Sequence, residues 1–126
     1  MKTIIRTEDA PSSPYYSQAV MAGGFLFVSG MTAMDPRTGK LAGGTIQEQT
    51  ARALQSCERI LSVAGASLQN IVDVQILLAR PEDFAGFNEA YASFFPVDPP
   101  ARSVARLGVE LPGVLVSIRM VAVLSR

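Results

Sequence analysis

Hydrophobic and polar residues repeat with two different periods along this chain, and each period predicts a different kind of element. Short runs rich in β-branched and aromatic residues predict six strands, at residues 2–6, 16–21, 25–31, 71–79, 103–109 and 114–124. Two longer stretches repeat apolar residues about every 3.6 positions and predict helices. The predicted order is strand, hairpin, helix, strand, helix, strand, strand.

The first predicted helix carries signals at both ends. Thr45 and Glu48 have capping-box spacing, in which the Thr side chain accepts a bond from a backbone amide and the Glu side chain reaches back. Gly65 follows the last apolar residue and predicts the position just beyond the helix. Cys57 lies on the apolar stripe, so we interpret it as a small core residue rather than a reactive thiol.

The second predicted helix carries an aromatic stripe. Pro81 stands where the first helical residue is expected, and prolines 96, 99 and 100 end the segment. Aromatic residues recur at i, i+3, i+7 and i+10, which predicts one face packed on a core or a sheet: Phe84, Phe87, Tyr91 and Phe94.

These elements predict a single α+β domain over residues 1–126, with two layers: a mixed sheet and two helices on one of its faces. The last strand is apolar on both faces, so the second face must also be buried. The sequence holds no further layer to cover that face. Self-association through the sheet is therefore predicted.

Composition excludes several kinds of chemistry. The chain has no histidine and a single cysteine, which excludes Ser-His-Asp and Cys-His catalysis, ordinary zinc sites and an intrachain disulfide. Eleven basic residues balance eleven acidic ones, so a nucleic-acid or membrane-surface partner is not expected. Apolar runs fall well short of the ~20 residues of a membrane span, and the N-terminus lacks a secretory signal pattern. We expect a cytoplasmic protein.

Six short stretches resemble, in order and spacing, the RidA/YjgF family of reactive-intermediate deaminases, also labelled endoribonuclease L-PSP. They are residues 16–20 (YSQAV), 28–30 (VSG), 35–39 (DPRTG), 87–91 (FNEAY), 100–103 (PARS) and 121–123 (VAV). The resemblance runs from about Ile5 to Val123. It implies a chorismate-mutase-like fold, three subunits that pack their sheets into a barrel, and active sites in clefts between subunits. It also implies hydrolysis of small 2-imino or enamine acids to 2-oxo acids and ammonia, without metal or organic cofactor.

The resemblance places Arg102, the arginine of the PARS stretch, on the carboxylate of the substrate. A guanidinium suits this role because it forms two parallel charge-assisted hydrogen bonds, which fix orientation as well as affinity. The alternative is a surface arginine at the start of a strand, paired with an acid.

Five further residues match family positions in or near the pocket. Tyr16 would bond substrate or water with its hydroxyl, and the amide of Gly30, beside Ser29, would meet a carboxylate. Asn88 lies near the pocket and Phe84 forms part of its wall. Each has a structural alternative: interface packing for Tyr16, a strand bulge for Gly30, the helix surface for Asn88 and the core for Phe84.

The main departure from the family is at Arg119. When the chain is aligned backwards from residues 121–123, this arginine stands where deaminases carry a glutamate that positions or activates the attacking water. An arginine cannot deprotonate water, because its pKa stays above about 12. Either another acid such as Glu110 replaces that glutamate, or Arg119 pairs with Glu110 or with an acid of a neighbouring subunit and fills an inactive site.

A second departure lies next to Arg102. Arg106 stands where the family has a glutamate, Val104 replaces a frequent cysteine, and Met31 replaces a glutamine. Positions 102, 104 and 106 share one face of a regular strand, although an extra residue farther along leaves room for a bulge that would reverse this. With Arg119 also in the cleft, the pocket would be more cationic than is usual and would favour a dicarboxylate or a phosphate-bearing ligand.

Three functions remain open from the sequence. The first is an imine deaminase acting on a small carboxylate. The second is a non-catalytic trimer that binds an anionic metabolite through Arg102 and Arg119. The third is the ribonuclease or translation-inhibitor activity that some family members are labelled with, against which the zero net charge argues.

Overall fold

The computed structural model describes residues 1–124 and contains one six-stranded sheet with the strand order β1-β2-β3-β6-β4-β5. The strands are β1 (Thr3–Ile5), β2 (Ala19–Ala22), β3 (Phe25–Met31), β4 (Ile71–Leu78), β5 (Ala101–Arg106) and β6 (Val116–Val123). The helices are α1 (Ile46–Val63) and α2 (Phe84–Ala92). Short 3₁₀ turns at Leu68–Asn70 and Pro81–Asp83 precede β4 and α2. None of the helices in this part of the chain is long and apolar enough to cross a membrane.

The sheet is mixed, as predicted. β4 and β5 pair in parallel, whereas the other four pairs are antiparallel. Parallel neighbours need a crossover connection, and α2 supplies it between β4 and β5. Bulges shift the register of β3 between Val28 and Met31 and that of β4 between Ile71 and Asp73.

The end signals of α1 are confirmed. The Thr45 hydroxyl accepts a hydrogen bond from the Glu48 amide at 3.1 Å, and the Glu48 carboxylate accepts one from the Thr45 amide at 3.1 Å. The backbone amides of Thr45 and Gly44 hold the pKa of Glu48 below its ordinary value. Gly65 follows the helix with φ of +77°, a left-handed conformation that favours glycine.

The core lies between the helices and one face of the sheet. α1 packs on β3 and β6, and its apolar stripe includes Cys57, which is fully buried. Burial raises the pKa of this thiol to about 12, so it stays protonated at neutral pH. The core position expected for Cys57 is confirmed, and so is the two-layer α+β architecture.

The second face of the sheet is uncovered in the single chain. Phe25 and Phe27, adjacent on this face, are 42% and 40% exposed. Val72, Leu77 and Val123 are exposed there as well. We call this surface the open face. Its burial by self-association stays a prediction.

Three local predictions are wrong. The strand expected at 16–21 begins only at Ala19, because residues 13–16 form a turn closed by a bridge between Ser13 and Tyr16. The aromatic stripe is also interrupted: Phe84 is 46% exposed, and α2 ends at Ala92, so Phe95 rather than Phe94 completes the buried set. The strand expected at 103–109 is Ala101–Arg106.

Candidate active site

Arg102 lies on β5 and is surrounded by aromatic rings from α2. Its register partner on β4 is Val74, which is fully buried on the helix-facing side. The Cζ atom of Arg102 lies 5.0 Å from the ring centroid of Tyr91, 5.8 Å from that of Phe87 and 6.0 Å from that of Phe84. A guanidinium is attracted to aromatic faces at such distances. The rings therefore contact this exposed arginine on the side of α2 and leave its charge unneutralised.

A cavity of about 310 Å³ opens beside Arg102. Its lining includes Asn88 and Tyr91, with Phe95, Pro99 and Pro100 as apolar walls. The Asn88 carbonyl oxygen and the Tyr91 hydroxyl are both buried there without a hydrogen-bond partner in the protein. Since buried polar groups are nearly always paired, these two atoms point to a bound water or ligand.

Tyr91 has a polar role that its aromatic spacing did not indicate. Its side chain is only 5% exposed. Burial raises the pKa of its hydroxyl above the ordinary value, and the charge of Arg102 offsets part of that rise. The hydroxyl is therefore protonated at neutral pH and can donate a hydrogen bond. The only signal in the sequence was a hydroxyl at one position of the aromatic stripe.

The other predicted site residues lie at the opposite end of the sheet. Tyr16 is partly exposed beside a cavity of about 820 Å³ between residues 4–8 and 12–18, and burial raises the pKa of its hydroxyl. The Ser29 hydroxyl donates a hydrogen bond to the Ser17 carbonyl at 2.6 Å. A Cβ atom at Gly30 would lie 2.8 Å from the Ser117 hydroxyl, so a larger residue here would require the Ser117 side chain to move.

Gln18 shapes this second region, and the sequence analysis did not identify it. Its side-chain amide is almost fully buried, at 3% exposure. It donates to the carbonyl oxygens of Thr7, Ala10 and Pro11 at 2.9–3.0 Å and accepts from the Thr7 amide at 2.8 Å. One glutamine thereby holds residues 7–11 against β2, next to Tyr16. A glutamine at an inward-facing strand position was the available signal.

The chain brings some predicted site residues together and keeps the others apart. Arg102, Phe84 and Asn88 meet at the β5 edge, whereas Tyr16, Ser29 and Gly30 lie near β2 and β3. Three strand spacings separate β3 from β5, which amounts to about 14 Å. A single site that uses both groups therefore needs a second copy of the chain.

The two departures at Arg106 and Arg119 fall on different faces. Arg119 pairs with Gln75 across β6 and β4, where both are exposed on the open face. Arg106 pairs with the buried Leu78, on the helix-facing side. Within a single chain Arg119 and Arg102 lie on opposite faces of the sheet, because side chains alternate along β6. That Arg119 joins Arg102 in a cleft between copies stays a prediction. The shared face of Arg102 and Arg106 is confirmed, since β4 and β5 pair without a register shift.

Within a single chain, no carboxylate of residues 1–124 lines the Arg102 cavity in place of the missing glutamate. Glu110 is exposed after β5, and in residues 1–124 the ion pairs are Arg52 with Asp35 and Arg80 with Asp83. The alternative in which Arg119 pairs with Glu110 is therefore not found among the described residues.

The family model described as Endoribonuclease L-PSP matches residues 7–124. This chain belongs to that family, as the resemblance to RidA/YjgF proteins predicts. The match covers both helices and the strands β2 to β6, and it includes Arg102, Tyr16 and the open face.

Individual RidA/YjgF proteins are similar over nearly the whole chain. A RutC family protein from Pyrococcus horikoshii is 40% identical over 97% of this chain and 98% of its own. The 2-iminobutanoate/2-iminopropanoate deaminase of Rattus norvegicus is 35% identical over 98% of this chain and 90% of its own. The crystal structure of E. coli TdcF with bound serine superposes with a TM-score of 0.90 and 31% identity, covering 98% of this chain and 99% of TdcF.

Proposed function

We propose that this RidA/YjgF protein hydrolyses small 2-imino acids, and their enamine tautomers, to 2-oxo acids and ammonia. The observation that carries the proposal is the charge of Arg102, held by three aromatic rings beside two buried polar atoms without partners. The names of similar proteins support the reaction class, since the rat relative is named 2-iminobutanoate/2-iminopropanoate deaminase. The serine bound to TdcF supports a ligand of amino-acid size.

Arg102 binds the substrate carboxylate through two charge-assisted hydrogen bonds. In the cleft it is unopposed by any acid, so the incoming carboxylate supplies the first compensating negative charge. The aromatic rings behind it limit its side-chain rotamers. The arginine is therefore preorganised for binding, and less conformational entropy is lost when the ligand arrives.

Asn88 and Tyr91 position the reacting water. The Asn88 carbonyl oxygen accepts a hydrogen bond from it, and the Tyr91 hydroxyl donates to the imine nitrogen. Water adds to the imine carbon while a proton passes to nitrogen. The new hydroxyl group on that carbon then gives its proton to the amino nitrogen, the carbon–nitrogen bond breaks, and ammonia leaves as the carbonyl forms. The balance is R–C(=NH)–COO⁻ + H₂O → R–CO–COO⁻ + NH₃.

The site is completed by a neighbouring copy in a homotrimer. The open face must be buried, and Tyr16, Ser29 and Gly30 lie too far from Arg102 to act with it in one chain. A cleft between copies would bring these residues, as substrate-binding groups, to the Arg102 pocket of the next subunit. Arg119 joins the site only from such a neighbouring copy.

A second candidate function is anion binding without catalysis. It is favoured by one observation, which is that the Arg102 cavity has no carboxylate to act as a general base. Such a base typically contributes about 10²–10⁴-fold to a rate. A water held only by Asn88 and Tyr91 would be positioned without being deprotonated.

An assay with 2-iminobutanoate separates the two functions. A threonine dehydratase generates this imine in situ, and the formation of 2-oxobutanoate is timed with and without the protein. We expect the wild-type protein to accelerate hydrolysis and Arg102→Gln to lose about 10²-fold of that acceleration, because two bonds to a charged group are removed. Arg37→Gln, at an exposed turn, is the control and should retain it. If the wild-type protein binds 2-oxobutanoate saturably but does not accelerate hydrolysis, the binding function is established instead.

The role of Tyr91 is tested by Tyr91→Phe. This variant keeps the ring beside Arg102 and removes only the hydroxyl. We expect the turnover number to fall about tenfold while the affinity for 2-oxobutanoate stays within about twofold, since one hydrogen bond is worth about 1–1.5 kcal/mol. An unchanged turnover number would remove Tyr91 from the mechanism.

A further inference from the structure

We propose that Arg106 is a second carboxylate-binding residue, which makes the Arg102 site selective for 2-imino acids that carry another carboxylate at the far end. The reaction is the one proposed above, so the inference rests on that function for its chemistry. The selectivity itself is a property of binding and is tested without turnover.

The strand register places both arginines on one side of the sheet. Along β5, Arg102, Val104 and Arg106 pair with Val74, Ile76 and Leu78 of β4, all of which are buried on the helix-facing side. Parallel partners project to the same face. The two guanidinium groups therefore stand over the same surface, with about 13 Å between their Cα atoms.

Phe84 links the surroundings of the two arginines. Arg106 lies on a second cavity of about 310 Å³, separate from the Arg102 cavity and lined by Leu78, Pro81, Phe84 and Val104 among others. The ring centroid of Phe84 also lies 6.0 Å from the Cζ atom of Arg102. We call the surface from Arg102 past Phe84 to Arg106 the groove; it has a cation at each end and an apolar centre.

The charge of Arg106 is not neutralised within the described chain. Asp83, the buried acid at the start of α2, is already bound by Arg80 through two hydrogen bonds of 3.0 and 3.1 Å. No ion pair in residues 1–124 includes Arg106. A second carboxylate on the ligand would therefore meet an arginine with free donors.

This arrangement predicts the shape of the ligand. One carboxylate sits on Arg102 next to the imine carbon, a short aliphatic chain crosses Phe84 and Val104, and the distal carboxylate reaches Arg106. The Arg106 side chain is long and can lean along the strand toward an anion that Arg102 holds. A monocarboxylate uses only the first arginine, so it binds without the additional contact.

The test compares two stable 2-oxo acids as probes, 2-oxoglutarate with two carboxylates and 2-oxobutanoate with one. Calorimetric titration of the assembled wild-type protein should show about tenfold tighter binding of 2-oxoglutarate, as one added bond to a charged group implies. Arg106→Gln should abolish this preference and leave 2-oxobutanoate affinity within about twofold. Arg106→Lys should retain part of it, and Arg37→Gln all of it.

The outcomes separate this proposal from the reaction. An equal affinity ratio in wild-type protein and Arg106→Gln overturns the second carboxylate site, even if 2-iminobutanoate is hydrolysed. A preference that depends on Arg106 in a protein that hydrolyses no imine would support the groove and remove the deaminase function. Loss of binding of both probes in Arg102→Gln confirms that they enter the same site.

Discussion

The two faces of the β-sheet differ in what covers them, although the same strands build both faces. On β6, Val116, Ile118, Met120 and Ala122 point to the helices and are almost fully buried. The residues between them, among them Arg119 and Val123, lie on the open face and are partly or largely exposed. The helices α1 and α2 suffice for one face only. In the single chain the other face therefore stays open, and its burial by a second copy is a prediction.

Two arginines that the sequence analysis assigns to one pocket, Arg102 and Arg119, lie on different faces of the sheet. Arg102 is on the helix-facing side of an edge strand, where α2 surrounds it with rings. Arg119 lies on a central strand of the open face next to Gln75. Arg102 therefore lines a cavity, whereas Arg119 lies on the uncovered open face. Their tertiary positions, rather than their residue type, make this difference.

The open face should be sensitive to charge. Phe27→Asp places a carboxylate among apolar side chains that the proposed trimer buries in three copies. We expect loss of the assembly, because burying an unpaired charge costs several kcal/mol at each copy. Analytical ultracentrifugation measures the mass. A wild-type protein that sediments as a monomer would contradict the proposed assembly before any variant is made.

The covered face should be sensitive to volume. Ile118→Ala removes a fully buried side chain between the sheet and α1, and we expect the free energy of unfolding to fall by about 2–5 kcal/mol. Val123→Ala on the open face of the same strand is the matched variant, and its effect should depend on protein concentration. Denaturant titration at several concentrations measures both. Equal, concentration-independent losses would show that the two faces do not differ.

The two arginines should differ in ligand binding. We expect Arg119→Gln to weaken 2-oxobutanoate binding by less than about threefold, against about 10²-fold for Arg102→Gln, because only Arg102 has a direct cation site for the carboxylate. Calorimetric titration measures both affinities. If the two losses were similar, a neighbouring copy must carry Arg119 to the same ligand.

Labelling of Cys57 tests whether the core between the helices and the sheet excludes water. Its thiol is buried and its pKa is raised to about 12, so we expect almost no labelling by a thiol reagent at pH 8 until the protein unfolds. The unfolded thiol has a pKa of about 8.5. Its contribution to stability is therefore complete below that value and declines as pH rises from about 8.5 to 12. Rapid labelling of native protein would contradict this packing.

Much of the fold followed from short-range patterns. The capping box at Thr45 and Glu48, Gly65 after the helix, and the buried strand beginning at Ile71 depend on neighbouring residues, so the sequence predicts them correctly. Arg102 was also identified in advance, through a motif rather than a period. The strand near Tyr16 was misplaced because a turn closed by Ser13 and Tyr16 competes with extended backbone.

The location of the remaining site residues depended on long-range pairing. The chain packs carbonyl groups around Gln18 and an arginine beside Tyr91. Only this packing makes the two residues candidates for a role in the site. Localisation in the cytoplasm and the ribonuclease activity stay predictions from the sequence. The domain prediction also includes residues 125 and 126, which lie outside the described residues.

The sequence by itself determined the types of the elements, the two ends of α1, the family and the arginine of the candidate site, because each depends on local periodicity or on a contiguous motif. Only the tertiary structure decided that Arg106, and not Arg119, shares a face with Arg102, and that Tyr16 lies at the far end of the sheet. The physical reason is the alternation of side chains along each strand. A sequence determines which residues of one strand share a face, but the hydrogen-bond register between strands determines which residues of different strands meet.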